Sequence, residues 1–181
     1  MIEIIAPSSS LADEIIAIKA NGLRPHQKVS IQTQQANNNG QLFHAYAYYA
    51  ANHNRLIYTL VDTSLGGSYS GVAEMGLFWA MKRPCHIEES FGNLFKFDVA
   101  PSTVVLKIFN GFLEEKRIWS AHEIARTSIE RRYNDENAKR IQIIMKKYSA
   151  HYFCLVEMSF IQECYIWMHC LVESLNFVHP C

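Results

Sequence analysis

Gly67-Ser68-Tyr69-Ser70-Gly71 is the string in this chain that comes nearest to a catalytic motif. A nucleophile elbow reads G-x-S-x-G, or has Cys in place of Ser, because a sharp strand-to-helix turn must lift the nucleophile clear of the backbone. Here the central residue is Tyr69, a phenol with an ordinary pKa of about 10 and no obvious activating base. The string fails as an elbow at its decisive position. No Gly-Lys-Ser/Thr follows the glycines, so they do not form a phosphate-binding loop. They read instead as a tight loop whose backbone needs positive φ. Cys85 lies between Pro84 and His86, but adjacent residues rarely reach the Cys-His geometry that nucleophilic catalysis needs. Near the C-terminus His151 with Cys154, His169 with Cys170 and His179 with Cys181 offer zinc-type donors. Their spacings are irregular, whereas zinc sites show tight pairs separated by a loop. The expectation is no catalytic, cofactor-binding or metal-ligating residue, and no cofactor.

The elements that would position such residues are mostly short strands separated by turn chemistry over residues 1 to 133, the pattern of an all-β sandwich. Val29, Ile31 and Thr33 alternate with polar neighbours, and Phe43, Ala45, Ala47 and Tyr49 alternate with His44, Tyr46 and Tyr48. Asn39-Gly40 between them is a strong hairpin signal. Asn110-Gly111, after Val104, Val105, Leu106, Ile108 and Phe109, predicts a second reversal towards residues 125–133. Further strands are expected at 15–20, 56–61 and 94–99. Residues 10–22 also fit a capped helix, with Ser10 and Asp13 at the start, Leu11, Ile15 and Ile18 on one face, and Gly22 past the end. Residues 113–125 are ambiguous, with Glu114, Glu115, Lys116 and Arg117 read as a solvated loop or helix turn.

Composition narrows the function classes. The 181 residues suffice for one domain with a real core plus an appendage. Seventeen basic and seventeen acidic side chains give zero formal charge, which argues against a nucleic-acid binder. All Lys and Arg lie at or before Lys147, whereas Glu157, Glu163 and Glu173 are the only charges beyond it. Cys154, Cys164, Cys170 and Cys181 crowd the same tail, and five cysteines without C-x-x-C spacing make a poor disulfide framework. Met1-Ile2-Glu3-Ile4-Ile5 has no basic region and no long apolar stretch, so an intracellular, cytoplasmic setting is expected.

A resemblance then enters on specific residues. Leu11-Ala12-Asp13-Glu14, Gly22-Leu23-Arg24-Pro25, Gly40 with Leu42-Phe43, Ala47-Tyr48-Tyr49 with Ala51-Asn52, and the run from Ser64 to Trp79 follow one another in a familiar order. Phe97-Asp98-Val99 and Ile129-Glu130-Arg131 with Tyr133 extend it. Together they resemble the N-terminal domain of the acyl-CoA thioesterases and bile acid-CoA:amino acid N-acyltransferases, over residues 1 to about 143. The resemblance implies an Ig-like β-sandwich of about seven strands. It also implies that chemistry belongs to a separate α/β-hydrolase domain with a Cys or Ser nucleophile, an Asp and a His.

Departures begin at Arg132, where the family has Trp, and the family's Ala-Pro-Gly turn is replaced by Asn134-Asp135-Glu136-Asn137-Ala138. No residue here matches the nucleophile, Asp or His. The chain alone is therefore expected to be inactive, an accessory domain meeting acyl-CoA only if a catalytic domain is supplied. The alternative is a non-catalytic binding module that pairs with or modulates a full-length relative. Met75-Gly76-Leu77-Phe78-Trp79 is expected to be a core strand, part of whose surface meets the catalytic domain. The tail, 144–181, is expected to be foreign to the family, helical or disordered, poorly packed and prone to aggregate. Its three Glu residues and all-round apolar pattern support neither a membrane span nor an interfacial helix. Some relatives are peroxisomal, but Val178-His179-Pro180-Cys181 does not resemble a peroxisomal signal.

Overall fold

The computed structural model describes residues 1–85, 100–133, 138–145 and 148–155. In chain order the elements are β1 (Glu3–Ile5), β2 (Ser9–Leu11), β3 (Lys19–Asn21), β4 (Lys28–Ala36), β5 (Leu42–Ala50), β6 (Ile57–Tyr58), α1 (Gly76–Trp79), β7 (Ser102–Asn110), α2 (Glu115–Ile118), β8 (Glu123–Arg132), β9 (Ala138–Met145) and β10 (Tyr148–Leu155). Contacts divide the chain into two units, Met1–Tyr133 and Asn134–Cys181.

The first unit is a sandwich of two sheets, ordered β2-β8-β7-β4-β5 and β1-β3-β6. Period-two patterning builds the larger sheet. Val29 and Ile31 of β4, Ala47 and Tyr49 of β5, Leu106 and Ile108 of β7 and Ile129 of β8 are buried on one face. Ile4, Ala20 and Ile57 from the smaller sheet close over them, joined by Ile16, Ile18 and Leu23. Antiparallel pairing aligns Val29 with Tyr49 and Thr33 with Ala45, and β7 with β4 and β8. The short β2 lies parallel to β8. The two Asn-Gly turns expected at Asn39-Gly40 and Asn110-Gly111 form, with Gly40 at φ 74° and Gly111 at φ 83°.

Four local expectations change. Residues 10–22 contain no helix, and the strand expected at 15–20 starts only at Lys19. Ile16, Ile18 and Ala20 alternate inward, as a strand requires. The backbone before Lys19 finds its partners elsewhere: Ile16 N donates to Met75 Sδ at 3.3 Å, and Arg131 takes the Ala12 and Glu14 carbonyls. The strand expected at 56–61 is only β6, because Asp62 Oδ2 accepts from Tyr58 N and turns the chain. In the run 75–79, Gly76–Trp79 form the short helix α1, with Met75 just before it, and not a core strand. Met75 and Leu77 are buried, but Trp79 is 76% exposed. The charged run forms the expected helix turn, α2, with Glu114, Lys116 and Arg117 exposed, and only the Glu115 side chain is largely covered, as described below.

The strand expected at 94–99, together with Phe97-Asp98-Val99, lies outside the described residues. So do His86, Glu157, Glu163 and every cysteine from Cys164 onward. In the second unit β9 and β10 pair antiparallel from Ala138↔Leu155 to Met145↔Tyr148. Residues 148–155, expected to be helical or disordered, are thus a strand. Ile141, Ile143 and Met145 alternate in the sequence at the period of a strand, not of a helix.

Candidate functional site

The signature run from Ser64 onward lies along the outer edge of β5. Tyr48 N donates to Gly66 O at 2.9 Å, Leu65 N to Tyr48 O at 2.8 Å and Ser68 N to Tyr46 O at 2.7 Å. Ser68 Oγ accepts from Tyr46 N at 3.1 Å. Farther along, His44 and Lys82 exchange backbone bonds of 2.8 and 2.9 Å. The segment thus satisfies the amides and carbonyls that an edge strand would leave open to another chain. Glycine is required because the strap runs so close. A Cβ on Gly67 would sit 2.4 Å from Tyr46 O, and its φ is 104°. The turn itself closes through Ser64 and Gly71, whose backbones exchange two bonds of 2.9 Å.

Tyr69, the centre of the failed elbow, points inward. Its hydroxyl meets that of Tyr49, and its ring fills the space over Gly76, where a Cβ would come within 2.6 Å. Burial raises the pKa of both phenols, and the shared hydrogen bond raises Tyr49 further. A phenol with a raised pKa stays protonated at neutral pH. The rest of the run locks onto the core: Thr33 Oγ1 donates to Leu77 O, and Met75 Sδ accepts from Ile16 N. Phe78 lies against Arg131, whose guanidinium carbon is 5.1 Å from the ring centroid.

Arg131 comes from the Ile129-Glu130-Arg131 motif and is 4% exposed. Nη1 donates to Ser10 Oγ at 2.7 Å and to Glu14 O at 3.3 Å, and Nη2 donates to Ala12 O. Burial lowers its pKa. One side chain therefore joins three separated motif segments: residues 10–14, the end of the signature run, and β8.

The opposite face of the large sheet carries a polar network that sequence reasoning missed. Gln34 Nε2 donates to Gln32 Oε1 at 2.9 Å, which turns Gln32 Nε2 toward His44 Nδ1 at 3.3 Å. His44 Nδ1 accepts, so Nε2 holds the hydrogen directed to Glu115 Oε1 at 3.1 Å. Glu115 also takes Lys82 Nζ at 2.9 Å and the Cys85 backbone N–H at 2.9 Å. Burial opposes ionisation of Glu115, but Lys82, the Cys85 amide and His44 together outweigh it and hold its pKa at about 2. Trp119 packs edge-on to His44, with ring centroids 4.9 Å apart. Tyr48 stacks on Phe112 at 4.9 Å and donates from its hydroxyl to Leu113 O.

This network ties α2 and the segment just past the signature run, Lys82 and Cys85, to the sheet. His44 is fully buried, so it has no route to a substrate. The visible signal was Gln32, Gln34 and His44 at alternating outward positions, polar where a covered face needs partners. The matching carboxylate sat in a charged run, Glu114 to Arg117, that looks solvated. Cys85 is a free thiol at the surface. Its backbone touches the network.

Among the described residues no group of three or more His, Cys, Asp or Glu could hold a metal ion. No helix among them is long and apolar enough to cross a membrane.

Comparison with known proteins matches these motifs to one family. The profile of the acyl-CoA thioester hydrolase/BAAT N-terminal region matches residues 13–144. Human bile acid-CoA:amino acid N-acyltransferase is 36% identical over 147 residues, covering 79% of this chain and 34% of the relative. The mouse enzyme of the same name is 34% identical over 139 residues, covering 76% of this chain and 32% of the relative. Mouse peroxisomal succinyl-coenzyme A thioesterase is 34% identical over 133 residues, covering 72% and 30%. The chain spans about a third of the length of these curated relatives. With a sandwich, an edge strap and an arginine anchor built from the matched residues, the chain belongs to the acyl-CoA thioester hydrolase/bile acid-CoA:amino acid N-acyltransferase family by its N-terminal region.

Proposed function

We propose that this sandwich is the accessory N-terminal domain of an acyl-CoA thioester hydrolase or acyl-CoA:amino acid N-acyltransferase, that none of its residues is catalytic, and that turnover requires a separate hydrolase domain. The observation that carries this reading is the use of the signature run as an edge strap. Its central phenol is hydrogen-bonded to Tyr49, and His44, fully buried, is committed to Gln32 and Glu115. His44 cannot reach an acyl group from that position. Acyl-CoA is then the substrate class of the assembled enzyme and not a ligand of the sandwich. The cytoplasm is our proposed compartment, resting on cysteine usage that fits a reducing setting.

The direct test is release of free CoA by the purified chain from medium- and long-chain acyl-CoA, with and without amino acid acceptors. We expect no turnover above a heat-inactivated control, and turnover would overturn the reading. A second reading, a binding module that pairs with a longer relative, is favoured by exposed Leu65, Val72 and Trp79 within the run. Co-purification with such a relative, lost on Trp79→Ala, separates the two.

A further inference from the structure

Asn-Gly is the dipeptide most prone to lose a side-chain amide, because glycine lets its own backbone nitrogen swing onto the preceding side-chain carbonyl. The chain has three: Asn21-Gly22, Asn39-Gly40 and Asn110-Gly111. Their surroundings differ. Asn21 is in β3, paired with Glu3, and Gly22 abuts the chain start so closely that a Cβ would lie 2.1 Å from Met1 O. Asn110 closes β7, its Oδ1 accepts from Gln27 Nε2 at 2.9 Å, and Gly111 N donates to Lys28 O at 2.8 Å. Both are held on side chain or strand.

Asn39 is held by neither. It is exposed at the tip of the β4–β5 hairpin, and its side-chain amide bonds to none of the described residues. Gly40, at φ 74°, has nothing within 4 Å of where a Cβ would stand. Among the described residues only the 3.0 Å bond from Gly40 N to Asn37 O holds the attacking nitrogen, and a hairpin tip opens at small cost.

We propose that Asn39 is a site of spontaneous covalent modification in the folded protein, by deamidation and isomerisation. Gly40 N, giving up its proton, bonds to Asn39 Cγ. The Cγ–Nδ2 bond breaks, and the nitrogen leaves as ammonia, producing a succinimide. Water then adds to one of the two imide carbonyls. Opening at Cγ leaves aspartate, and opening at the backbone carbonyl leaves isoaspartate, with the chain running through the side chain. No oxidant or reductant is needed. Either product places a carboxylate at the tip, and isoaspartate adds a methylene within the loop. That loop is drawn together by Asn37 Oδ1, which accepts from Asn39 N at 3.0 Å and Gln41 N at 2.9 Å. Isomerisation lengthens the path between those two amides and so opens the tip. The isoaspartate form is a methyl acceptor for a protein isoaspartate O-methyltransferase.

Trypsin separates the three sites, into residues 20–28, 29–55 and 108–116. The full chain is incubated at neutral pH and physiological temperature, native and in urea, then digested. Fragmentation places each amide-to-acid mass change, and a methyltransferase with labelled methyl donor reports isoaspartate. In the native chain Asn39 should convert at least about fivefold faster than Asn110, the factor that one side-chain hydrogen bond supplies. In urea the two rates should converge. Asn39→Ala, which has no side-chain carbonyl to close the ring, should remove methyl acceptance from residues 29–55 alone. Equal native rates, faster conversion of Asn110, or an Asn39 that stays intact natively while it converts in urea would each overturn the proposal.

Discussion

Gly67 and Gly71 both hold positive φ in one loop, at 104° and 86°, yet substituting them should have unequal consequences. A Cβ on Gly71 meets nothing within 4 Å, so Gly71→Ala costs only the left-handed strain of an L residue, about 1–2 kcal/mol. A Cβ on Gly67 would stand 2.4 Å from Tyr46 O, 3.0 Å from Ala47 Cα and 3.1 Å from Tyr46 C. All three are backbone, and none can rotate away. The strap must lift from β5, and the bonds from Ser68 N to Tyr46 O and from Tyr46 N to Ser68 Oγ go with it. At about 1 kcal/mol for each bond, Gly67→Ala should lose about 2 kcal/mol more than Gly71→Ala. That is a sizeable share of the roughly 5–15 kcal/mol that holds a domain folded. Urea unfolding followed by fluorescence and far-ultraviolet dichroism measures the difference, with a common slope confirming that stability alone has changed. Equal losses in the two variants would refute the edge-strap account.

Three further outcomes follow from buried side chains. Glu115, with its carboxyl held at about 2 against an ordinary 4.5, contributes stability that is complete above about 4.5 and is lost as pH falls toward 2. Glu115→Gln should flatten that acid limb of the stability profile in pH-dependent urea titrations. Tyr49 and Tyr69, raised by burial, contribute stability present below about 10 and lost as pH rises beyond it. Tyr69→Phe should reduce the loss on the alkaline side, and tyrosinate absorbance should show fewer phenols released on unfolding. Arg131→Lys should cost about 2–3 kcal/mol in the same titrations, because an ammonium keeps the charge but cannot serve Ser10, Ala12 and Glu14 as a planar fork does.

The long strands were legible because each is half-buried and declares itself by alternation. Val29 and Ile31 face Tyr49 and Ala47, and the turns at Asn39-Gly40 and Asn110-Gly111 sit where the pattern changes. The short elements were not, since their backbone partners are distant side chains. Nothing near Ile16 announces Met75, fifty-nine residues away, and nothing near Ala12 announces Arg131. The apolar run from Met75 to Trp79 suggested a strand because composition alone cannot separate a buried strand from one buried turn of helix. Glu115 misled for the converse reason. Three charged neighbours made it look solvated, while its partners, His44 and Lys82, came from β5 and from the segment just past the signature run.

A motif can be specific in sequence without carrying chemistry when its constraint lies in the backbone. Side chains that react must be of one chemical type, but a strap that runs beside a strand needs only the absence of a Cβ at its closest point and a residue able to fill the space beneath. Gly67 meets the first requirement against Tyr46, and Tyr69 over Gly76 meets the second. Relatives named for two different reactions, N-acyl transfer and thioester hydrolysis, match this same region. A shared active-site loop would have to suit both reactions, whereas a shared sheet edge is indifferent to the acyl acceptor. The edge-strap geometry therefore accounts for the run's tight spacing without asking any residue in it to act as a nucleophile, and it locates the run's consequence in stability, where Gly67→Ala reads it.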